Sequence, residues 1–232
     1  MAKKLFVRFS TSQDETAIFD FYAENQHQFV FQRNPDVWKE RIASGAVTLI
    51  EDENGKIVAS SISYPIVDSN GVQQWTEIGS TRVGLDGIGL VTPLLSAQVL
   101  RAYLLEPPED RFVLEIVIGN NHSKHVFMKL GATLFDIPDG LHEKVKSTIA
   151  PGSGKQTVEW FQMGAETIPD LAKNIKDTIL KNKKTGEEYE LDFSRCALVI
   201  HFKQEVEGLA AKDFGDVKIP DLTRPLKRKF QP

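Results

Sequence analysis

The spacing of apolar residues over the first 83 positions switches between the two-residue period of strands and the 3.6-residue period of helices. A capping box at Ser12–Glu15 opens a first helix, and Asn34-Pro35, an N-cap followed by proline, opens a second. Asn54-Gly55 joins two apolar alternations and is a strong hairpin signal. The predicted segments are a strand at 5–9, helices starting at 12 and 34, and strands at 47–51, 56–66 and 73–83. The predicted order is therefore one strand, two helices and a three-strand meander.

The most regular part of the chain lies between residues 75 and 132. A strand leads into the turn Gly84-Leu85-Asp86-Gly87-Ile88-Gly89, and a long apolar helix follows. An apolar strand over 112–118 then leads through Gly119-Asn120-Asn121 to a short amphipathic helix over 123–130. Glycines let a phosphate approach the backbone, and the first N–H groups of a helix point toward it with a favourable dipole. The turn therefore predicts an anion site, although its GxxGxG spacing is neither a dinucleotide fingerprint nor a P-loop.

The periodicity is weaker after Pro138. The predicted segments are a loop with a short helix at 139–156, a short strand at 157–162, a helix at 169–181 and strands at 189–193 and 196–202. The last of these strands is apolar enough to be a buried strand that closes the sheet. Residues 213–232 contain three prolines and a basic cluster and have little to bury, which predicts an extended tail.

Composition narrows the class of protein. The chain has 232 residues, of which 41% are hydrophobic and 26% charged, values typical of a soluble globular protein. A net charge of −4 argues against a nucleic-acid partner, and no apolar run approaches the roughly 18 residues that a membrane span needs. The single cysteine, Cys196, excludes an intrachain disulfide and suits a reducing compartment, so we expect a cytoplasmic location. The five histidines are dispersed, which leaves no metal constellation.

Two motifs between residues 75 and 132 occur together in a known family. The first is Gly87-Ile88-Gly89 before a helix, and the second is Asn121-His122-Ser123 followed by Val126-Phe127-Met128-Lys129-Leu130-Gly131-Ala132. In this combination and spacing, the chain resembles the GNAT superfamily of N-acetyltransferases. The resemblance is close over residues 75–132 and loose over residues 1–138, and the predicted order of elements agrees with it.

The resemblance implies an α/β (α+β) fold with a mixed, mostly antiparallel sheet flanked by helices, whose two parallel central strands part to form a coenzyme A cleft. It implies acetyl-CoA as co-substrate, a small-molecule or peptide amine as acceptor, and direct attack in a ternary complex. Residues 1–138 would be the acyl-CoA-binding core, and 139–190 an insertion that could lie over the acceptor site. Residues 191–212 would hold the closing strands, and 213–232 the extended basic tail. The acceptor and the oligomeric state, a homodimer included, stay open.

The resemblance also assigns coenzyme-binding residues. The glycine turn and the end of the preceding strand would hold the diphosphate, and Asn121 with its helix would line the pantetheine arm. The family usually has Gln or Arg where this chain has Gly84, so Arg82 is the alternative cation, while Asp86 would repel a phosphate unless turned outward. The residues predicted to bind the coenzyme are Arg82, Val83, Gly84, Gly87, Ile88, Gly89, Asn121, Ser123 and Phe127.

An amine attacks a thioester only after it has lost its proton, so a base close to the acceptor is expected. In the family an acidic residue on the strand before the glycine turn often takes this role, which points to Glu77. Glu115 interrupts an apolar strand, where a carboxylate needs a partner or a raised pKa, and it is the competing base. Phe127 stands where many family members have the tyrosine that protonates the departing thiolate. The groups left for that step are water and the side chains of His122, Ser123 and His125.

Two other classes of function stay open. One is an acyl-carrier-dependent N-acyl synthase of the autoinducer or N-acyl amino acid type, which would need a wide apolar groove between the parted strands. The other is a catalytically inactive binding module with the same fold, suggested by Phe127 and by the missing Gln or Arg.

Overall fold

Nine strands form one mixed sheet in the computed structural model, which describes residues 2–106, 111–150 and 156–196. The strands are β1 (Lys3–Phe9), β2 (Val47–Asp52), β3 (Ile57–Val67), β4 (Gln73–Val83), β5 (Phe112–Val117), β6 (Thr133–Leu134), β7 (Val158–Met163), β8 (Thr178–Lys181) and β9 (Glu188–Asp192). The helices are α1 (Glu15–Glu24), α2 (Pro35–Ala43), α3 (Val91–Leu105), α4 (Asn121–Lys129), α5 (Leu141–Lys146) and α6 (Ile168–Ala172). The strand order is β6-β7-β5-β4-β3-β2-β1-β9-β8, and among the described strands only β4–β5 and β1–β9 run parallel. The predicted mixed, mostly antiparallel sheet flanked by helices is confirmed.

Strand alternation divides the hydrophobic core between the two faces of the sheet. On β5, Phe112, Leu114 and Ile116 belong to a cluster with α3, α4 and α6, whereas Val113 packs with α5 and with Trp160 of β7. Apolar side chains of β2 and β3 pack with α1 and α2. The sheet is therefore the middle of three layers, with α3, α4 and α6 on one face and α1, α2 and α5 on the other.

The observed starts of three helices can be compared with the caps predicted from the sequence. Asn34 caps α2 as expected, because its side chain accepts a hydrogen bond from the Asp36 N–H at 3.0 Å. The first capping box begins one residue earlier than predicted: the Thr11 N–H donates to Asp14 at 2.7 Å, and a single 3₁₀ turn precedes α1. Helix α4 begins two residues earlier than predicted, because Asn120 is its cap.

Strand β4 contains a β-bulge. Two of its residues, Ser80 and Thr81, lie opposite the single residue Ser61 of β3. Ser80 has a φ of +48°, a left-handed conformation that a residue with a side chain rarely adopts. The Tyr22 hydroxyl donates to the Ser80 carbonyl, and the Tyr64 hydroxyl lies 2.9 Å from Ser80 Oγ. Two tyrosines thus hold the bulge from the face that carries α1 and α2.

The parallel strands β4 and β5 pair only over the first two residues of β5. The register contains Thr76↔Phe112 and Glu77↔Val113 and then ends. Strand β5 keeps its ladder with β7 from Phe112 to Val117, and β4 keeps its ladder with β3 as far as Val83, so both strands stay in the sheet while they part from each other. A bulge bends its strand and increases the local twist, which accounts for this divergence. The predicted parting of the two parallel central strands is present.

The helix predicted over 169–181 is wrong. Helix α6 ends at Ala172, and residues 178–181 form strand β8 instead. The prediction used Leu171, Ile175 and Ile179 as one helical face, but only the first two are buried, and Ile179 is exposed on the edge strand. Apolar residues four positions apart are compatible with one continuous helix. They are equally compatible with a short helix followed by a turn and a strand, which is what the structure has.

The range 139–190, predicted as an insertion, contributes a strand to the interior of the sheet. Strand β7 pairs with β5 and with β6, which confirms the strand predicted over 157–162. Strand β9 confirms the strand predicted over 189–193, and it lies beside β1 on the other side of the sheet. The rest of the strand predicted over 196–202 and the tail at 213–232 lie outside the described residues.

Leu94 tests the placement of α3 in the core. Its side chain is fully buried, so Leu94→Ala is expected to lower the free energy of unfolding by about 2–5 kcal/mol through lost burial and a residual cavity. The matched control, Met128→Ala on α4, removes a side chain of a residue that is 54% exposed and should cost less than about 1 kcal/mol. Urea unfolding followed by circular dichroism measures both changes, and equal losses would contradict the described packing.

Candidate functional site

A cleft of about 720 Å³ opens where β4 and β5 part. Its walls come from both strands, from the glycine turn before α3 and from the start of α4. The lining includes residues 77–83, 85–91, 114–117 and 119–123, together with Phe127 and Lys183. All the site residues that the sequence predicts, except Gly84, therefore lie in one cavity.

The glycine turn presents unpaired main-chain donors at one end of the cleft. Gly87 and Gly89 have φ of +82° and +85°, a conformation that glycine adopts without strain. Within the described part of the chain, the N–H groups of Gly87, Ile88 and Gly89 donate no hydrogen bond. Helix α3 follows at once, and its N-cap, Leu90, provides no side-chain acceptor. Free N–H groups and the positive end of a helix dipole together favour an anion at this position.

Gly84, the first residue of this turn, and Arg82, just before it, both contact Asn25 at the end of α1. The Gly84 N–H donates to Val58 O at 2.8 Å, and a Cβ at Gly84 would lie 2.7 Å from Asn25 Oδ1. A Cβ at this position would displace the Asn25 side chain, so Gly84 packs closely against the end of α1 and lies outside the lining of the cleft. Arg82 lines the cleft, but its Nε donates to Asn25 O at 2.6 Å, which directs the guanidinium toward α1.

The turn between β8 and β9 packs on the glycine turn. Asn182 Nδ2 donates to Asp86 O at 3.1 Å, and the Lys183 N–H donates to Gly87 O at 3.1 Å. Lys183 belongs to the lining of the cleft. Residues almost one hundred positions along the chain therefore complete this end of the cavity.

The start of α4 forms the wall opposite the glycine turn. Asn121 is the first residue of this helix, and the Ser123 N–H donates to the Asn120 side chain at 3.2 Å. Phe127 is buried between the cleft and the main core. His122 also lines the cleft, whereas His125 lies outside its lining.

Two carboxylates approach each other at the far end of the cleft. Glu77 is in register with Val113, and Glu115 follows Val113 by two residues, so both side chains point to the same face of the sheet. Arg33, from the loop between α1 and α2, forms a buried ion pair with Glu77, and each side chain is only 2% exposed. One oxygen of each carboxylate, the Oε2 atom, is buried without a hydrogen-bond partner. The cleft therefore ends at two carboxylates, one guanidinium and unused acceptor atoms.

The protonation of Glu115 is shifted into the neutral range. Burial, and after it the nearby Glu77 carboxylate, raises the pKa of Glu115 to about 7, against an opposing effect of Arg33 and Lys146. The Glu115 side chain is 2% exposed. A carboxyl group of this kind can take up and release a proton near neutral pH.

His142 on α5 lies on the outer side of Glu115. Its Nδ1 is 3.5 Å from Glu115 Oε1, and its ring packs edge-on against Trp160. Burial, and after it Lys146, lowers the pKa of His142, so the ring facing Glu115 is neutral at pH 7. The His142 side chain is 31% exposed. The imidazole thus lies between the buried carboxyl group and solvent.

A second cavity, of about 640 Å³, adjoins the cleft beside Arg33 and is formed mainly by the loop between α1 and α2. The residues that line both cavities are His27, Val30, Phe31 and Arg33. This loop is tied to the segment after α5, because the Ala150 N–H donates to Gln32 O at 2.7 Å. Residues 148–150, within the range predicted to cover an acceptor site, therefore support the wall of this cavity.

Four residues of the site were not found from the sequence: Arg33, His142, Asn182 and Lys183. Arg33 precedes the Asn34-Pro35 helix start and gives no separate signal, and His142 is one of several dispersed histidines. Asn182 and Lys183 lie in a turn, and nothing local indicates that this turn packs on a glycine turn so far away in sequence. Only the tertiary fold brings these residues to the cleft.

Composition also led to expectations about metal binding, membrane spans and the single cysteine. Among the described residues, no cluster of three or more His, Cys, Asp or Glu could hold a metal ion. None of the helices in the same part of the chain has the length and apolar character that a membrane crossing requires. Cys196 is buried, and burial raises the pKa of its thiol to about 12, so it stays protonated.

Solved acetyltransferases share this fold. A putative acetyltransferase from Salmonella typhimurium, solved with its cofactor acetyl-CoA, is 17% identical and aligns with a TM-score of 0.52 over 69% of this chain and 93% of its own. A GNAT-family acetyltransferase from Streptococcus pneumoniae is 16% identical, with a TM-score of 0.51 over 69% and 98% of the two chains. Mosquito arylalkylamine N-acetyltransferase like 5b is 12% identical, with a TM-score of 0.51 over 69% and 99%.

These likenesses show the fold of the GNAT acetyltransferases, which confirms the fold predicted from the two motifs. No protein-family model and no curated protein sequence matches the chain. The alignments extend over almost the whole of each neighbouring structure, but they leave nearly a third of this chain unaligned.

The raised pKa of Glu115 makes stability depend on pH in a defined window. The folded protein favours the protonated form of the Glu115 carboxyl group. The contribution of this group to the free energy of unfolding is therefore complete below the unfolded pKa of 4.5 and is lost as pH rises through about 7. Glu115→Gln, which mimics the protonated form, should therefore be more stable than the wild type at pH 8, by an amount of order 1–3 kcal/mol, and equally stable near pH 4.

Chemical unfolding of both proteins between pH 4 and pH 8 measures this difference. Glu143→Gln, at a carboxylate of α5 whose side chain is 74% exposed, serves as the control and should follow the wild type. A difference between the wild type and Glu115→Gln that does not change with pH would contradict the shifted pKa.

Proposed function

We propose that this chain transfers an acyl group, in the simplest case acetyl, from coenzyme A to an amine. The proposal is carried by one observation: a single cleft joins unpaired main-chain donors at the glycine turn to buried carboxylates with unused acceptor oxygens. The first end suits a diphosphate, and the second suits a group that must lose a proton. The shared fold with acetyltransferases, one of them solved with acetyl-CoA, supports the same conclusion.

The residues present fit the coenzyme. Gly87 and Gly89 carry no side chain that would fill the turn, and a Cβ at Gly89 would meet open space. Asn121, Ser123 and Phe127 would line the pantetheine arm at the opposite wall. Acetyl-CoA would supply a thioester, whose carbonyl carbon the acceptor nitrogen attacks.

Glu115 is the residue we assign as general base. It accepts a proton from the acceptor ammonium through its unpartnered oxygen, which frees the nitrogen lone pair for attack. With a pKa of about 7 it is partly ionised at neutral pH and regains its ionised form by losing that proton to solvent. Glu77 differs, because one of its oxygens is engaged by Arg33, so we assign it to positioning the acceptor ammonium beside Glu115. As the C–N bond forms, the C–S bond breaks. The nitrogen then loses its second proton and the thiolate gains one, with water, His122 or Ser123 carrying the proton between them.

Gly89 offers a sharp test of coenzyme binding, with Gly55 as its matched control. Both glycines have positive φ and no neighbour that a Cβ would strike, but Gly55 lies in the β2–β3 hairpin, outside the cleft. Gly89→Ala and Gly55→Ala should each lower stability by about 1–2 kcal/mol through backbone strain. Only Gly89→Ala should weaken CoA binding, by about tenfold or more, because relief of that strain displaces the N–H donors.

Isothermal titration of the wild type and both variants with CoA, acetyl-CoA and longer acyl-CoAs measures these affinities, and thermal unfolding measures the strain. Absence of CoA binding to the wild type would refute the proposed function. Much tighter binding of a long-chain acyl-CoA would instead indicate an N-acyl synthase. Equal affinities for the two variants would remove the glycine turn from the binding site.

The role of Glu115 predicts a pH–rate profile. With acetyl-CoA and a panel of arylalkylamine, polyamine and diamino acid acceptors, kcat/KM should rise with pH through an inflection near 7. Glu115→Gln should lower kcat by about 10²–10⁴-fold and remove the inflection. Glu143→Gln should leave both unchanged. If Glu115→Gln keeps its activity while Glu77→Gln loses it without unfolding, then Glu77 is the base.

A further inference from the structure

The glycine turn lacks a cation of its own, although its proposed ligand carries several negative charges. Asp86 within the turn has the wrong sign for a phosphate. Arg82, the cation expected from the sequence, donates its Nε to Asn25 O at the end of α1. Main-chain N–H groups bind phosphate oxygens but leave their charge largely uncompensated, so a basic side chain from another element is expected nearby.

The turn between β8 and β9 is held on the glycine turn by contacts from both sides. Asn182 is 6% exposed, and its Oδ1 accepts from the N–H groups of Lys184 and Thr185, which fixes the conformation of its own turn. Its Nδ2 donates to Asp86 O, and the adjacent Lys183 N–H donates to Gly87 O. A Cβ on Gly87 would lie 3.2 Å from Asn182 Oδ1. The two turns therefore hold each other in a fixed relative position.

Lys183 is the basic side chain that this contact brings to the cleft. It belongs to the lining together with Gly87, Ile88 and Gly89, whose N–H groups are unpaired, whereas Lys184 lies outside the lining. Among the described residues, Lys183 forms no ion pair. The nearby carboxylate Glu187 is paired with Lys3 of strand β1 instead. Neither lysine of this turn forms an ion pair among the described residues, and of the two only Lys183 belongs to the lining of the cleft.

We propose that the β8–β9 hairpin is part of the coenzyme site and that Lys183 Nζ pairs with a phosphate group of coenzyme A. This inference rests on the proposed function, since it assumes that the cleft binds CoA. It adds a cation supplied from outside the two motifs that carry the family resemblance. Asn182 acts as a positioning residue, because it fixes the turn from which Lys183 reaches the cleft.

Lys183→Gln, Lys183→Arg and the matched control Lys184→Gln test the proposal by calorimetric titration with CoA and with dephospho-CoA. Lys183→Gln should weaken CoA binding by about five- to tenfold at low ionic strength and by less at physiological salt, because added ions screen an exposed charge pair. Lys183→Arg should keep most of the affinity, and Lys184→Gln should match the wild type. Lys183 and Lys184 are both exposed, so the three variants should fold like the wild type.

Comparison of CoA with dephospho-CoA shows which phosphate group Lys183 contacts. A loss confined to CoA places Lys183 at the 3′-phosphate, whereas an equal loss for both ligands places it at the diphosphate, and both results support the proposal. Asn182→Ala should weaken binding of both ligands and also lower the melting temperature, since it removes the hydrogen bonds between the turns. Wild-type affinity in Lys183→Gln, at low salt and with a wild type that binds CoA, overturns the role of Lys183 alone. Failure of the wild type to bind CoA overturns the proposed function with it.

Discussion

The whole site depends on the divergence of β4 from β5, and this divergence depends on the backbone at Ser80. A regular β4 would continue its parallel ladder past Glu77 and fill the space between the strands with hydrogen bonds. The bulge, held in its left-handed conformation by Tyr22 and Tyr64, turns β4 away while β7 keeps β5 straight. Strained backbone of this kind costs about 1–3 kcal/mol and persists only where packing enforces it. The two buried tyrosines provide that packing.

Divergence also explains the electrostatics at the far end of the cleft. Glu77 and Glu115 stand on the two strands that part, and Arg33, from the loop before α2, brings a countercharge to Glu77. Arg33 compensates Glu77, which leaves a second carboxylate in a largely water-free place, and burial there favours its neutral form. A fold optimised for stability would have an apolar residue at Glu115, among Val113, Trp160 and Val145. The destabilising carboxyl group is the chemical reason to regard this position as functional.

The sequence predicted those parts of the fold that local patterns determine. The meander, the Asn34 cap and the glycine turn before α3 each rest on neighbouring residues, and the structure has them. Glu115 was identified because a charge within an apolar strand is visible in the sequence, and Glu77 because the family resemblance implies an acidic residue on the strand before the glycine turn. The pairing of Arg33 with Glu77 was not, because it joins residues 44 positions apart through a loop without regular structure. The helix predicted over 169–181 failed for a related reason: the spacing of Leu171, Ile175 and Ile179 does not show which of them are buried.

The C-terminal strands show how non-local contacts can complete a site built on local motifs. Strand β9 pairs with β1, and three strands separate it from β4. The turn that precedes β9 nevertheless contacts the glycine turn that follows β4. The hydrogen bond between Asn182 and Asp86 spans 96 positions of sequence. Because loop-closure entropy opposes such contacts until the sheet has formed, the glycine turn should gain its final geometry late in folding, after β1 and β9 have paired. A site whose donors are main-chain N–H groups needs such external support, since no side chain of the turn itself fixes their direction.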